Sequence, residues 1–166
     1  LDPAKVESSQ DQVAGLGLLP VFTAFDEHKE THQVTGTVTT DRGLLEYAAG
    51  LPFTGYEIHM GATATEADLS EGVALLERRT QPGVEIVDGV ASTDGWVFGT
   101  YVHGLFLNDE LRRRILANLA RRKGLSMGLG GDQAGFSQDA EYDKLAELVR
   151  ASLDMEKIYQ AMKFGR

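Results

Sequence analysis

The sequence predicts one α/β domain that extends over residues 1–166. Apolar residues make up 42% of the chain, which is enough for a packed core, and 19 glycines accompany only 4 prolines. So many glycines indicate tight turns and close backbone approaches, which are typical of proteins that contain a sheet rather than of helical bundles. Short apolar runs followed by a strong helical pattern complete the prediction.

The strands are predicted from short runs of apolar or alternating residues that end at turn signals. Val34, Gly36 and Val38 alternate with polar neighbours, which favours a hairpin or sheet edge, and Asp94-Gly95 is a turn signal between the last two runs. The predicted strands are residues 18–25, 33–39, 51–61, 84–90 and 96–102.

Two helical regions follow the strands. Asn108 and Asp109 offer a helix N-cap, apolar residues recur at helical spacing after them, and Gly124 is a stop signal. A glycine-rich connection at 126–135 leads to a second amphipathic pattern, which a break near Asp154 divides into one or two helices.

Composition also limits the classes of partner. The formal net charge of −9 argues against nucleic acid, whose binding depends on Lys and Arg. No apolar run approaches the roughly 20 residues that span a bilayer, so we expect no membrane partner and a cytoplasmic location. The chain has no cysteine, which excludes disulfides and thiolate metal sites.

The candidate catalytic residue is His103, which ends a buried-looking central strand and precedes Gly104. An imidazole with an ordinary pKa near 6.5 can shuttle protons at neutral pH, but a histidine with satisfied hydrogen bonds in the core is the alternative. Gly99 and Gly104 leave room for a substrate, and the helix that follows could favour an anion nearby.

Glu57 and His59 form a second candidate pair, because both fall on one face of the predicted strand 51–61 while Tyr56 and its apolar neighbours fall on the other. The two alternatives are a face that points to solvent and a place at a pocket rim. His28 and His32 have a spacing that would suit metal ligands on a helix, but Lys29 departs from the zincin pattern, so a solvated loop or strand is favoured and no metal site is predicted.

Four motifs in order carry a resemblance that runs nearly end to end: GLGLLP at 15–20, KET at 29–31, GYEIHMG at 55–61 and GTYVHGLF at 99–106. With them the chain resembles the C-terminal, CobB/CobQ-type glutamine amidotransferase domain of the cobyric acid synthase family. The resemblance implies a flavodoxin-like class I amidotransferase fold with three α/β/α layers, whose N-terminal portion is expected to lie outside this chain.

The implied activity is the supply of ammonia from glutamine for ATP-dependent amidation of adenosylcobyrinic acid a,c-diamide in cobalamin biosynthesis. By resemblance, His103 is the partner of a cysteine nucleophile, and Glu57 and His59 are substrate-binding residues. The cysteine is expected shortly before Leu1, so the chain alone should be inactive. ATP and magnesium, and the contact with the corrinoid, are expected in a separate synthetase domain, with no cofactor in this portion.

The resemblance leaves some questions open. Many relatives in the wider class carry a Glu two residues after the catalytic His, but Leu105 occupies that position here, so Glu57 or a backbone carbonyl are candidates for orienting His103. The alternatives in function are the glutaminase module of cobyrinic acid a,c-diamide synthase or of a cell-wall amidating enzyme, and a non-catalytic binding module that keeps the fold.

Overall fold

The computed structural model describes residues 1–65, 72–125 and 138–162. The chain divides into two compact units, Leu1–Gly131 and Asp132–Arg166. All the described strands and the first α-helix belong to the first unit, and two further helices belong to the second. The α/β class is therefore confirmed at the level of a mixed α/β protein, while a single domain over residues 1–166 stays a prediction.

The first unit is built on an antiparallel sheet of five strands in the order β4-β3-β1-β2-β7. A separate pair, β5 and β6, is also antiparallel. The strands are β1 Val21–Val38, β2 Pro52–Thr65, β3 Ala74–Arg78, β4 Glu85–Asp88, β5 Val90–Ala91, β6 Phe98–Gly99 and β7 Val102–His103. The described sheet holds no parallel pair, so it does not test the flavodoxin-like arrangement, which requires parallel strands.

β1 is the longest strand and differs from the prediction. The two strands predicted at 18–25 and 33–39 are parts of one strand, and a bulge between Ala24 and Lys29 takes up the change of register. The polar residues between them still pair with β2, from Lys29 opposite Met60 onwards. Their strand conformation depends on this partner, which a local sequence pattern does not contain.

The core lies on one face of the sheet, where alternate positions of β1 and β2 point inward. The helix α1 Asp109–Arg122 buries Leu111 and Ile115 in this core, and each such side chain contributes about 1.5–3 kcal/mol of transfer free energy. The apolar residues that form this core cluster are Val34, Val38, Leu45, Ala48, Phe53, Val73, Ala74, Leu76, Ala91, Val102, Leu105, Leu111 and Ile115.

The prediction of α1 is confirmed, including its end before Gly124, which has a left-handed φ of 68°. Asn108 occupies the N-cap position but its side chain makes no capping hydrogen bond. Instead its Oδ1 accepts from the Thr54 N–H and its Nδ2 donates to the Thr54 carbonyl, both at 2.9 Å. Asn108 therefore ties the beginning of α1 to β2.

The second unit contains α2 Gln138–Ser152 and α3 Met155–Ala161. The predicted break is confirmed at Asp154, whose carboxylate accepts the Lys157 N–H at 3.2 Å and caps α3. The glycine-rich connection predicted at 126–135 lies outside the described residues.

Candidate active site

His103 is the last residue of β7, which contains two residues and lies at the edge of the described sheet. The prediction of a buried central strand is wrong here, because the run at 96–102 divides into β6 and β7 and the His103 side chain is exposed. Gly104 has a φ of 80° and turns the chain into a short 3-10 helix before α1. The His103 side chain is exposed, and none of the residues that the structure describes forms a hydrogen bond or ion pair with its ring.

Gly55 lets β7 approach β2 closely beside His103. A Cβ atom at Gly55 would lie 2.6 Å from Cγ1 of Val102 and 2.7 Å from the His103 carbonyl oxygen. No real Cβ contact is so short, so a side chain at this position would push away the strand that carries His103.

We therefore expect Gly55→Ala to lower the free energy of unfolding by about 1–3 kcal/mol, the usual cost of overpacking. Gly99→Ala is the matched control, because a Cβ there meets only Cδ1 of Leu19, at an ordinary 3.5 Å. Denaturant unfolding of the two variants checks the prediction, and equal losses of stability would contradict the role of the close approach.

The structure separates His103 from Glu57 and His59. In the antiparallel pairing of β2 with β7, His103 lies opposite Tyr56 and Val102 lies opposite Glu57. Directly paired residues share a face, so His103 and the exposed Tyr56 lie on one face while Glu57 lies on the buried one. The hypothesis that Glu57 orients His103 is therefore wrong, and so is the interpretation in which Glu57 and His59 point to solvent.

Glu57 is held by a bidentate ion pair with Arg78 of β3. Nε and Nη2 of Arg78 donate to the two carboxylate oxygens at 2.7 Å each, and the side chains of Glu57 and Arg78 are only 4% and 13% exposed. β1 lies between β2 and β3, with Val34 opposite both Gly55 and Arg78, so the guanidinium reaches Glu57 across one strand. The hydrogen bonds from Arg78 lower the pKa of Glu57; burial opposes this shift, and the hydrogen bond to His59 adds to it.

His59 connects this pair to Tyr101. Its Nε2 lies 3.1 Å from Oε1 of Glu57, and its Nδ1 donates to the Gly61 carbonyl at 2.7 Å. The ring stacks on that of Tyr101 with centroids 4.2 Å apart, and the Tyr101 hydroxyl is hydrogen-bonded to Thr63. The orientation of His59 is thus fixed by both ring nitrogens and by one ring face.

Asp88 is a further buried acid close to this cluster. Its Oδ2 accepts from the Thr100 hydroxyl, and its Oδ1 accepts from the Tyr101 N–H at 3.2 Å. Burial raises the pKa of Asp88, and the hydrogen bonds from Thr100 and Tyr101 oppose that shift. Glu57, whose pKa is lowered, and Asp88, whose pKa is raised, therefore lie on the same side of the sheet.

These polar groups border a cavity of about 500 Å³ that apolar side chains also line. Glu57, His59, Arg78, Asp88 and Tyr101 all belong to its wall. A cavity of this size, mainly apolar with a few polar groups, has the character of a small-molecule site. Glu57 and His59 thus lie at a pocket, as one of the two alternatives had it, while their role in binding substrate stays a prediction.

His28 and His32 lie within the strand β1, which agrees with the prediction of a loop or strand at these residues. His32 is hydrogen-bonded through Nδ1 to Thr80 at 2.7 Å and through Nε2 to Glu30 at 2.5 Å. Within residues 1–65, 72–125 and 138–162, no group of three or more His, Asp or Glu side chains is arranged so that it could hold a metal ion.

Sequence reasoning missed Arg78 and Asp88. The sequence pattern does not predict β3, and Asp88 is an acid without a distinguishing motif inside the predicted strand 84–90. Thr100 and Tyr101 lie within the GTYVHGLF motif, and this motif was the sequence feature that could have pointed to them as site residues. The buried position of Glu57 was itself a signal for Arg78, since a buried carboxylate needs a partner, but only the structure reveals that burial.

None of the described helices is both long and apolar enough to cross a membrane.

Comparison with known proteins identifies relatives over almost the whole chain. Proteins called cobyric acid synthase are 44% identical in Dehalococcoides mccartyi over 99% of this chain, 36% identical in a Thermoanaerobacter species over 98%, and 39% identical in Salmonella heidelberg over 96%. The chain spans about a third of the length of these relatives, from 31% to 32%. Residues 1–111 match the profile of the CobB/CobQ-like glutamine amidotransferase domain. The chain therefore belongs to the family of CobB/CobQ-like glutamine amidotransferase domains.

Proposed function

We propose that this chain is the His-bearing part of the glutaminase of a cobyric acid synthase, which releases ammonia from glutamine for ATP-dependent amidation of adenosylcobyrinic acid a,c-diamide in cobalamin biosynthesis. The proposal is supported by membership of the amidotransferase family and by relatives called cobyric acid synthase, one of which is 44% identical. The structural observation that carries it is the exposed ring of His103 at the end of β7, which has no hydrogen-bond or ion-pair partner among the described residues.

His103 is the proposed general base and acid. It takes the proton from a cysteine thiol, and the thiolate forms a C–S bond with the carboxamide carbon of glutamine. The C–N bond then breaks, ammonia leaves with the proton that the imidazole returns, and water hydrolyses the thioester to glutamate. This chain has no cysteine, so the proposal requires that another part of the polypeptide supplies the thiol.

The remaining parts of the enzyme are assigned to polypeptide outside this chain. ATP and a magnesium ion belong to the proposed synthetase part, which also binds the corrinoid, and no residue of this chain is assigned to them. The same polypeptide would supply parallel strands that complete a flavodoxin-like three-layer domain. The family membership supports this finer fold, and the ATP-dependent biosynthetic reaction supports a cytoplasmic location.

The test is the release of glutamate from glutamine by the intact gene product, with ATP and the corrinoid present. We expect release by the wild-type protein and no release by the isolated 166-residue chain, which has no thiol. A folded intact protein that releases no glutamate would contradict the proposal and favour a binding module that keeps the fold without the chemistry.

A further inference from the structure

The two residues between β6 and β7 leave the strand ladder just before His103. Thr100 and Tyr101 belong to neither strand, and the backbone N–H groups of Tyr101 and Val102 are satisfied by side chains. Oδ1 of Asp88 accepts the Tyr101 N–H at 3.2 Å, and the Thr100 hydroxyl accepts the Val102 N–H at 3.0 Å. Side-chain acceptors therefore take the place of a neighbouring strand in this segment.

Asp88 is a firm anchor for these bonds because its own backbone lies in the sheet. It ends β4, pairs with Ala74 of β3, and its carbonyl accepts the Val73 N–H at 2.8 Å. Its side chain holds Thr100 through Oδ2, so Asp88, Thr100 and the Val102 N–H form one continuous chain of hydrogen bonds. This chain ends one residue before His103.

The opposite side of the segment is held as well. The Tyr101 carbonyl accepts the Ile58 N–H at 3.3 Å, and the Tyr101 ring stacks on His59. By contrast, the His103 ring has no hydrogen-bond or ion-pair partner in the described part of the chain, and the position two residues later is Leu105. The backbone that carries His103 is thus restrained far more than its ring is.

We propose that Asp88 and Thr100 are positioning residues for His103, which they place by fixing the backbone of residues 100–102 from the buried face of the sheet. The inference rests on the proposed function. Its physical basis is that a displacement of about 1 Å at a reacting group can reduce the rate of catalysis by about 10²-fold. Here the restraint comes through the main chain and replaces an acid partner that would act on the imidazole itself.

The test compares Thr100→Val with Thr100→Ser in the intact polypeptide. Valine has nearly the shape of threonine but can neither donate to Asp88 nor accept from the Val102 N–H, whereas serine can do both. We expect Thr100→Val to lower kcat for glutamate release by about 10²-fold with KM for glutamine little changed, and Thr100→Ser to stay within about threefold of wild type.

Val73→Ala is the matched control for a general loss of stability. Val73 is buried beside Asp88, and its shortening removes apolar contacts without touching the hydrogen bonds. We expect it to lower Tm while kcat stays near the wild-type value. If Thr100→Val fails to fold, Thr100→Ala replaces it in the comparison with Thr100→Ser. Alanine also lacks the hydroxyl, but it places no methyl group in the polar position that the hydroxyl occupied.

The outcomes separate the two proposals. If glutamate release depends on His103 but Thr100→Val or Thr100→Ala keeps the kcat of Thr100→Ser, positioning by Asp88 and Thr100 is wrong and the glutaminase assignment stands. The inference is also overturned if Val73→Ala lowers kcat as much as Thr100→Val does. If the wild-type protein releases no glutamate, or His103→Ala releases it at the wild-type rate, the proposed function fails and the inference fails with it.

Discussion

Replacing His103 with alanine in the intact polypeptide is expected to lower kcat for glutamate release by about 10³-fold, because the proposed general acid and the proposed general base are lost together. KM for glutamine should change little, since the role proposed for the imidazole is proton transfer during the reaction and not binding of glutamine in the ground state. The fold should remain intact. The ring is exposed and has no hydrogen-bond partner among the described residues, so we expect a change in unfolding free energy within about 0.5 kcal/mol.

The matched control for His103→Ala is His28→Ala, which removes another exposed imidazole. His28 lies in β1, and its side chain is 77% exposed. Among the described residues, that side chain makes a surface contact with Glu30 at 3.3 Å and no other ion pair or hydrogen bond. Such contacts are worth about 0–1 kcal/mol, so glutamate release by His28→Ala should match the wild type. Steady-state glutamate release measures both variants. Retention of more than about a tenth of the activity in His103→Ala would exclude His103 as the proton-transfer group.

The elements that sequence could predict are those whose information is local. α1 follows from apolar residues such as Leu111 and Ile115 at helical spacing and from Gly124, and its position needs no knowledge of the sheet. The end of a strand at His103 also follows from the pattern of residues before Gly104. The predicted burial of this strand was wrong. The run 96–102 resembles a buried central strand, but in the structure Thr100 and Tyr101 interrupt it with hydrogen bonds that involve side chains.

The face that Glu57 occupies could not be predicted for a different reason. Alternation assigned Tyr56, Ile58 and Met60 to one face, and apolar residues normally mark the inside. In the structure Glu57 is buried and Tyr56 is 48% exposed, because Arg78 compensates the carboxylate from a strand that begins 17 residues after Glu57. A local pattern cannot identify such a partner, so the sequence predicted Glu57 and His59 as candidates but not Arg78.

The ion pair between Glu57 and Arg78 is expected to have the largest effect on stability. Arg78→Ala leaves a carboxylate that is 4% exposed without its bidentate partner, and breaking such buried pairs typically costs about 3–5 kcal/mol. We expect a loss near the lower limit, about 3 kcal/mol, because Glu57 can take up a proton once the guanidinium is gone. Denaturant unfolding near neutral pH measures the loss.

Arg79→Ala is the matched control, since it removes the same side chain at the next position. Arg79 is exposed, and its guanidinium donates to the Gln33 side chain at 2.7 Å. A surface contact of this kind should contribute less than about 0.5 kcal/mol. The double variant Glu57→Leu with Arg78→Met should lose less stability than Arg78→Ala alone, because it removes both charges of the pair and does not leave the Glu57 carboxylate buried without its partner. If it loses more, the cost lies in packing and not in the unpaired carboxylate.

The pH dependence of the stability of Arg78→Ala provides an independent check that the ion pair with Glu57 stabilises the fold electrostatically. Arg78 holds the folded-state pKa of Glu57 below its ordinary value of 4.5, so the folded state binds fewer protons than the unfolded state below that pH. The stability that this pair supplies is fully present above 4.5 and is lost as the pH falls through the folded-state pKa. The difference in unfolding free energy between wild type and Arg78→Ala should therefore be largest near neutral pH and narrow in acid. A difference that stayed constant across this range would show that Arg78 stabilises the protein by packing, without an electrostatic contribution from Glu57.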